Sequence, residues 1–393
     1  MVLCDKYQEP LPNSEYKILI VEDSEFVNNA IFKTLSDMGY QCEQAFDYEV
    51  ALFKLQYNEY DYVILDLNLP DAYGNELVRN VQNTTKAKII ILTAETDIQS
   101  REILFKNGIL DYLVKDKYFN NSILSIDQII HSIERNVIST ILVIDDSRVL
   151  RKHIELILKV RDYNVVEAEN AEEALLTLNT QAINLIILDM ELPDKHGLDV
   201  IRELKADPML RTIPIFVVSG SNNPETVRDC LKLGATNYIK KPFNVEEFIL
   251  KIDIEINTER NARDILCNQK LLNEYKDAVD RSNIVSKADL KGNITYVNDK
   301  FCEISGYKEE ELIGQPHNIV HHEDMSSETF ADMWKTIKDK KPWHGVVKNK
   351  TKNGKDYYVD TVINPIIDYD GNLVEYISLR TDVTEIELMK KNL

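Results

Sequence analysis

Short runs of Val, Ile and Leu, each closed by an acidic or hydroxyl residue, recur in register along this chain. KILIV (17–21), DYVIL (61–65) and KIIIL (88–92) return as TILVI (140–144), NLIIL (184–188) and PIFVV (214–218), offset by 123, 123 and 126 residues. A run that is apolar at every position is a strand covered on both faces, which calls for a parallel sheet with helices on either side. Amphipathic stretches near 26–38, 48–57, 97–107 and 120–136, and again near 148–160, 171–179 and 224–233, supply those helices. The expected fold class is therefore α/β, laid down twice.

The residues that close the strands repeat as well. Glu22, Asp23, Asp66, Thr93 and Lys115 correspond to Asp145, Asp146, Asp189, Ser219 and Lys241, with the same 123-residue step for the acids and 126 for the hydroxyl and the Lys. Ligand sites of such sheets lie beyond the C-terminal ends of the strands, where these residues fall. Acids in surface loops are usually just solvated, but five positions repeating in register argue for a duplicated site. Three converging carboxylates repel one another unless a cation joins them, and an all-oxygen hard site suits Mg²⁺. A carboxylate so held is a usable nucleophile toward a phosphoryl group. The Lys can balance an aspartyl phosphate, and the Thr or Ser hydroxyl can hydrogen-bond a phosphoryl oxygen.

Bulk properties narrow the class. The chain has 393 residues and a formal net charge of −20. That charge repels nucleic acid and anionic membrane, so no nucleic-acid partner is expected. The apolar runs are strand-sized and the start lacks an apolar signal core, so no membrane insertion is expected. The five scattered Cys form no CxxC pair, which suits a reducing, cytoplasmic setting.

The strings ILIVEDS, ILDLNLPDAYGNEL, ILTAE and DYLVKD, then ILVIDDS, ILDMELPDKHGLDV, VVSGS and NYIKKPF, resemble the receiver domains of response regulators. The resemblance implies two flavodoxin-like (βα)5 domains, at 14–137 and 138–257. It implies phosphate acceptance by Asp66 and Asp189 from a histidine kinase or phosphotransfer protein. It implies Mg²⁺ contact from Asp23 and Asp146, a water-mediated role for Glu22 and Asp145, and backbone carbonyl ligands at Asn68 and Glu191. Tyr112 and Tyr238 would be aromatic switches that follow Thr93 and Ser219, although each also reads as a plain half-buried strand residue. The first copy departs from the pattern, with Glu22 in place of Asp and Asp116 where Pro is usual, so a docking role for it stays open. The second keeps Pro242, a candidate cis peptide.

From about Val245 to Ser282 the chain lacks Pro and Gly and is helix-permissive, with 258–282 as the linker. Ile265, Leu272 and Val279 recur at seven, with Asn268 and Tyr275 on the same seam. This predicts a helical linker able to pair in a homodimer, or else to pack on its own domain.

Beyond residue 282 the pattern changes to α+β. NITYVN (293–298) reads as a strand and 327–339 as a helix, followed by three antiparallel strands at 345–351, 355–366 and 373–382, with turns at Asn353-Gly354 and Asp370-Gly371. ITYVNDKFCEISGY, LIGQPHNIV, HHEDM, FADMWKTIK, KPWHGVVKN and KNGKDYY resemble PAS domains, in particular the FAD-binding PAS of bacterial aerotaxis receptors, across 283–388. The resemblance implies a sensor of redox, oxygen or a small ligand. For FAD, Trp334 or Trp343 would pack on the ring system and Asn349 would meet its pyrimidine edge. Asn298, His322 and Asp324 sit at matching motif positions. His321 and Glu323 depart from that pattern. Haem on His321 or His322, and an empty fold, remain alternatives. No kinase, cyclase or phosphodiesterase signature is read, so the chain is expected to be a phosphoacceptor regulator and not an enzyme. The alternatives are a truncated regulatory module of a diguanylate cyclase or kinase, and a docking scaffold indifferent to phosphate.

Overall fold

The computed structural model describes residues 12–115, 119–220 and 223–391. They fall into two compact units that divide between Arg263 and Asp264.

The first unit contains two parallel five-stranded sheets. In one, β1 (Lys17–Val21), β2 (Gln41–Ala45), β3 (Tyr62–Leu65), β4 (Lys88–Thr93) and β5 (Asp111–Val114) alternate with α1 (Glu25–Asp37), α2 (Tyr48–Tyr57), α3 (Gly74–Thr84), α4 (Ile98–Lys106) and α5 (Phe119–Asn136). The other repeats the plan with β6 (Thr140–Ile144), β7 (Asn164–Ala168), β8 (Leu185–Asp189), β9 (Ile215–Ser219) and β10 (Asn237–Lys240), and with α6 (Arg148–Val160), α7 (Ala171–Thr180), α8 (Gly197–Ala206), α9 (Pro224–Leu233) and α10 (Val245–Ser282). The strand orders, β2-β1-β3-β4-β5 and β7-β6-β8-β9-β10, are equivalent. Their strand order reverses beside the first strand of each sheet, and the acids sit at that crevice. Helix starts are set by side-chain caps: Ser24 on Val27, Asp47 on Val50, Ser147 on Leu150 and Asn170 on Glu173.

The two sheets are not separate beads. One apolar cluster joins Leu104, Phe105, Ile109 and Tyr112 of the first to Ile154, Ile157, Leu158, Phe248, Ile249 and Ile252 of the second. Polar contacts cross the same junction. Arg161, 4 % exposed, donates to the Leu110 carbonyl at 2.7 Å and pairs with Asp253 at 2.7 Å, and Asp253 also accepts from the Tyr163 hydroxyl at 2.7 Å. Asn136 donates to the Arg161 carbonyl at 2.9 Å, and Lys88 pairs with Asp162 at 2.6 Å. The first stretch of α10 belongs to this core through Val245, Phe248, Ile249, Ile252 and Ile256, all buried.

The second unit carries one antiparallel sheet, β11 (Ile284–Ala288), β12 (Ile294–Val297), β13 (Trp343–Lys350), β14 (Asp356–Ile367) and β15 (Leu373–Asp382), in the order β12-β11-β15-β14-β13. Helices α11 (Asp299–Ser305), α12 (Glu309–Leu312) and α13 (Ser327–Lys338) lie between β12 and β13, and α14 (Thr384–Lys391) follows β15. Gly354 and Gly371 turn the hairpins with φ of 82° and 80°, a left-handed conformation that favours glycine. Asp382 and Thr384 clamp the end of β15. The Tyr358 amide donates to Thr384 Oγ1 at 3.0 Å, and the Thr384 amide donates to Asp382 Oδ1 at 2.9 Å.

Candidate functional sites

In the first sheet, Glu22 follows β1 and Asp66 follows β3; both are buried, and Asp23 is exposed. Lys115 reaches them from the end of β5, its Nζ 2.5 Å from Glu22 Oε2 and 2.5 Å from Asp66 Oδ2. In the second sheet Lys241 Nζ lies 2.6 Å from Asp145 Oδ2 and 2.9 Å from Asp189 Oδ2. Each acid triplet, Glu22-Asp23-Asp66 and Asp145-Asp146-Asp189, offers carboxylate oxygens within 4.8 Å of one another. The three acids and the Lys of each copy, eight of the ten residues singled out from the repeat, are thus brought together as two sites. Thr93 and Ser219 end the neighbouring strands, both buried. Ala94 and Gly220 after them are exposed, and a Cβ on Gly220 would meet nothing. Asn68 and Glu191 stand two residues past the lone Asp, in loops bridged to Tyr73 and His196. The Lys241–Pro242 bond is cis. Asp116, its counterpart in the first copy, lies outside the described residues.

Crowding shows in the electrostatics. Burial raises the Glu22 carboxyl above the usual carboxylate range, and Asp66 adds to this while Lys115 opposes it. Burial likewise raises Asp189, with Asp145 adding and Lys241 opposing. Burial alone would lower Lys241, but its hydrogen bonds to Asp145 and Asp189 raise it overall. The acids are therefore held together against repulsion by one ammonium each.

Two positioning residues carry no motif signal. Asn28, fully buried, donates to the carbonyls of Glu22 at 2.8 Å and Ala45 at 3.0 Å, fixing the acid loop. Arg151, 123 residues on, does the same for the second loop by donating to the Asp145 carbonyl at 2.7 Å.

The two tyrosines differ. Tyr112 is 2 % exposed, donates to the Glu95 carbonyl at 3.0 Å, and lies under the Arg101 guanidinium at 4.9 Å. Arg101 also donates to Glu246, in the first turn of α10, with Nε to Oε2 at 2.8 Å. Tyr238 is half-buried.

In the second unit a cavity of about 520 Å³ opens between the sheet and the helices. Trp334 and Asn349 line it, as the sequence suggests. A Cβ on Gly292, whose φ is 89°, would come within 2.9 Å of the Trp334 ring, so the ring closes on bare backbone. The other residues read from the motif face elsewhere. Asn298 caps α11 and donates to the carbonyls of Asp280 and Asn283, both at 2.8 Å, so its amide is used up in stitching the domain entry. His322 Nε2 pairs with Asp356 at 3.0 Å, Asp324 is exposed and pairs with Lys348 at 2.6 Å, and Trp343 Nε1 donates to Asp332 at 3.1 Å. His321 reaches the cavity wall, its ring 4.9 Å from that of Phe330. Sequence reasoning passed over Ser286, His317, Ser378 and Arg380, which also line the cavity.

Burial and the nearby Arg380 lower the His317 imidazole to about 3 from an ordinary 6.5. The unfolded chain then takes up a proton below about 6.5 that the folded domain refuses until about 3. Stability from this group is full above the unfolded value and is lost as pH falls through that window, with a slope near 1.4 kcal/mol per pH unit. Denaturant midpoints of the chain between those limits are expected to flatten with pH in His317→Gln.

A buried acid pair, an exposed acid, a hydroxyl and a Lys at the C-terminal edge of a parallel (βα)5 sheet are the arrangement of a response-regulator receiver domain, here in two copies. The chain belongs to the response regulator receiver domain family, which matches residues 18–125 and 141–253, more than half of its length. Residues 282–385 match the PAS domain family. Over the PAS region it is 45 % identical across 109 residues to the aerotaxis receptor of Escherichia coli K12, covering 28 % of this chain and 21 % of that protein. It is 35 % identical across 106 residues to a two-component response regulator of Oryza sativa subsp. japonica, covering 27 % of this chain and 88 % of that one. It spans only a fifth to a half of the first bacterial relatives it matches. A crystal structure described as a putative two-component system response regulator/GGDEF domain protein superposes with a TM-score of 0.52 at 30 % identity, covering 62 % of this chain and 99 % of that one.

Proposed function

We propose that this chain is a phosphorelay protein in which Asp66 and Asp189 accept phosphoryl groups from a phosphohistidine on a histidine kinase or phosphotransfer protein. The observation that carries this is the pair of three-carboxylate clusters, each tied to a single Lys at the mouth of its sheet. In the transfer, a carboxylate oxygen bonds to phosphorus as the donor's phosphorus–nitrogen bond breaks. The electron pair leaves with the imidazole, which takes up a proton. Lys115 and Lys241 stay beside the new acyl phosphate and offset its charge, while Thr93 and Ser219 present hydroxyls to its oxygens. The all-oxygen donor sets suit Mg²⁺: Glu22, Asp23, Asp66 and the Asn68 carbonyl would hold it in the first copy, and Asp145, Asp146, Asp189 and the Glu191 carbonyl in the second. Bound there, the metal supplies positive charge to the phosphoryl oxygens. A small phosphodonor tests the reading: wild type that acquires no acid-labile phosphate would refute it.

On this reading the first receiver speaks to the second through their shared core. Arg101 lies over the Tyr112 ring, on the strand beside Thr93, and holds Glu246 at the start of α10. This chain of contacts is a spatial argument for coupling. Further along α10, Ile265, Leu272 and Tyr275 are each more than 60 % exposed. A second copy covering that seam would make the homodimer, and Leu272→Asp is expected to shift sedimentation toward monomer.

The PAS domain adds a sensory input, and its cavity fits a flavin ring. Trp334 offers a stacking face, Asn349 an amide, and Ser378 a buried hydroxyl with no partner among the described residues. A flavin bound there supplies redox-dependent charge and shape to the domain. Purified protein that stays free of flavin absorbance after addition of FAD would refute this part. No helix among the described residues is long and apolar enough to cross a membrane; we place the protein in the cytoplasm, signalling by contact and not by catalysis of its own. The likeness to the GGDEF-domain protein supports a second reading, in which the tandem receivers control an output domain of that kind.

A further inference from the structure

The cavity of the PAS domain contains a cation with no counter-ion among the described residues. Arg380 is 8 % exposed, and among the described residues its guanidinium has no carboxylate partner. Its polar contact is a donation to Ser286 Oγ at 2.7 Å; Ser286 in turn lies 3.0 Å from His317 Nε2, and the guanidinium rests 5.4 Å from the centre of the Phe301 ring. Two residues back on β15, the Ser378 hydroxyl is 4 % exposed and has no hydrogen-bond partner among the described residues. Both side chains line the cavity. A buried guanidinium is costly without an anion or a set of acceptors, and an orphaned hydroxyl adds to that cost. Neither the aromatic ring nor one serine oxygen satisfies the five donors of the fork.

We propose that Arg380 and Ser378, backed by Ser286 and His317, form a subsite that grips its ligand by an electron-rich oxygen-acceptor edge able to carry negative charge. The assignment rests on the flavin reading, where that edge is the N1–C2 carbonyl side of the isoalloxazine ring. His317 is held neutral and next to the cation, so it does not supply the missing charge. A fixed guanidinium against this edge favours the reduced, anionic flavin over the oxidised one, so Arg380 sets both affinity and potential.

The test loads the full chain with FAD and compares wild type with Arg380→Lys, Arg380→Gln and Ser378→Ala. Flavin retention is measured by absorbance, and the midpoint potential by dithionite titration against a reference dye. Ser378→Ala deletes only an unpaired hydroxyl and serves as the variant whose folding is least at risk. It is expected to hold FAD about fivefold more weakly. Arg380→Gln is expected to favour reduced flavin tenfold less, a potential about 30 mV lower, while Arg380→Lys keeps most of the wild-type potential. Retention and potential equal to wild type in both Ser378→Ala and Arg380→Gln overturn the subsite. If Arg380→Gln does not fold, retention of FAD by Ser378→Ala equal to wild type overturns it equally. Wild type that takes up no FAD overturns the flavin reading itself, and this assignment with it.

Discussion

Asp253→Ala is expected to destabilise the tandem receivers by about 3–5 kcal/mol, the usual cost of stranding one member of a buried ion pair. Asp253 accepts from Arg161 and Tyr163, each at 2.7 Å, and without it the Arg161 guanidinium loses its nearest anion. Asp111, at 3.9 Å, is too distant to replace it. Arg161 also donates to the Leu110 carbonyl of the first receiver, so the loss falls on the junction as well as on the second sheet. Chemical denaturation followed by circular dichroism reads the change. The double variant Arg161→Leu with Asp253→Leu is expected to recover much of it, because no charge is then left buried. If Asp253→Ala unfolds at the same denaturant concentration as wild type, the junction is not held as described.

The second large effect lies at the acid site of the second receiver. Lys241→Met leaves Asp145 and Asp189, with side chains 4 % and 9 % exposed, facing each other without the ammonium. In metal-free buffer the cost is expected to approach about 3 kcal/mol. Magnesium is expected to restore part of it, since a ligand that binds only the folded state stabilises by mass action. Phosphoryl uptake at Asp189 should fall on the order of 100-fold even with magnesium, because a preorganised charge has been removed from the developing acyl phosphate. Thermal melts with and without Mg²⁺, alongside phosphorylation rates, separate the two roles. A variant as stable and as fast as wild type would show that Lys241 is a bystander.

What the sequence displays and what it hides follow from range and repetition. The central strands stand out because burial on both faces makes them apolar throughout; β3 and β8 are buried at every position. The edge strands β2 (QCEQA) and β7 (NVVEA) lack that signature, since each has one exposed, three half-buried and one buried residue. Half exposure permits Gln and Glu there and erases the run. The acids, hydroxyls and lysines were legible because the same spacing occurs twice. Arg161, Asp253, Arg101 and Glu246 carry no such mark, because their meaning depends on how two sheets dock, which no local period encodes. In the PAS domain, resemblance led toward Asn298, whose amide instead binds the end of α10 to β11. The better signal was alternation in LVEYISLRTD, which places Tyr376, Ser378 and Arg380 on one face; a Ser and an Arg pointing inward on a buried strand call for a partner.

Phosphopeptide mapping after incubation of the full chain with Mg²⁺ and acetyl phosphate tests the central claim most directly. The account predicts acid-labile, hydroxylamine-sensitive phosphate on Asp189 or Asp66, lost when both are replaced by Asn. Wild type that stays unmodified, or a doubly substituted chain labelled as strongly as wild type, would contradict it.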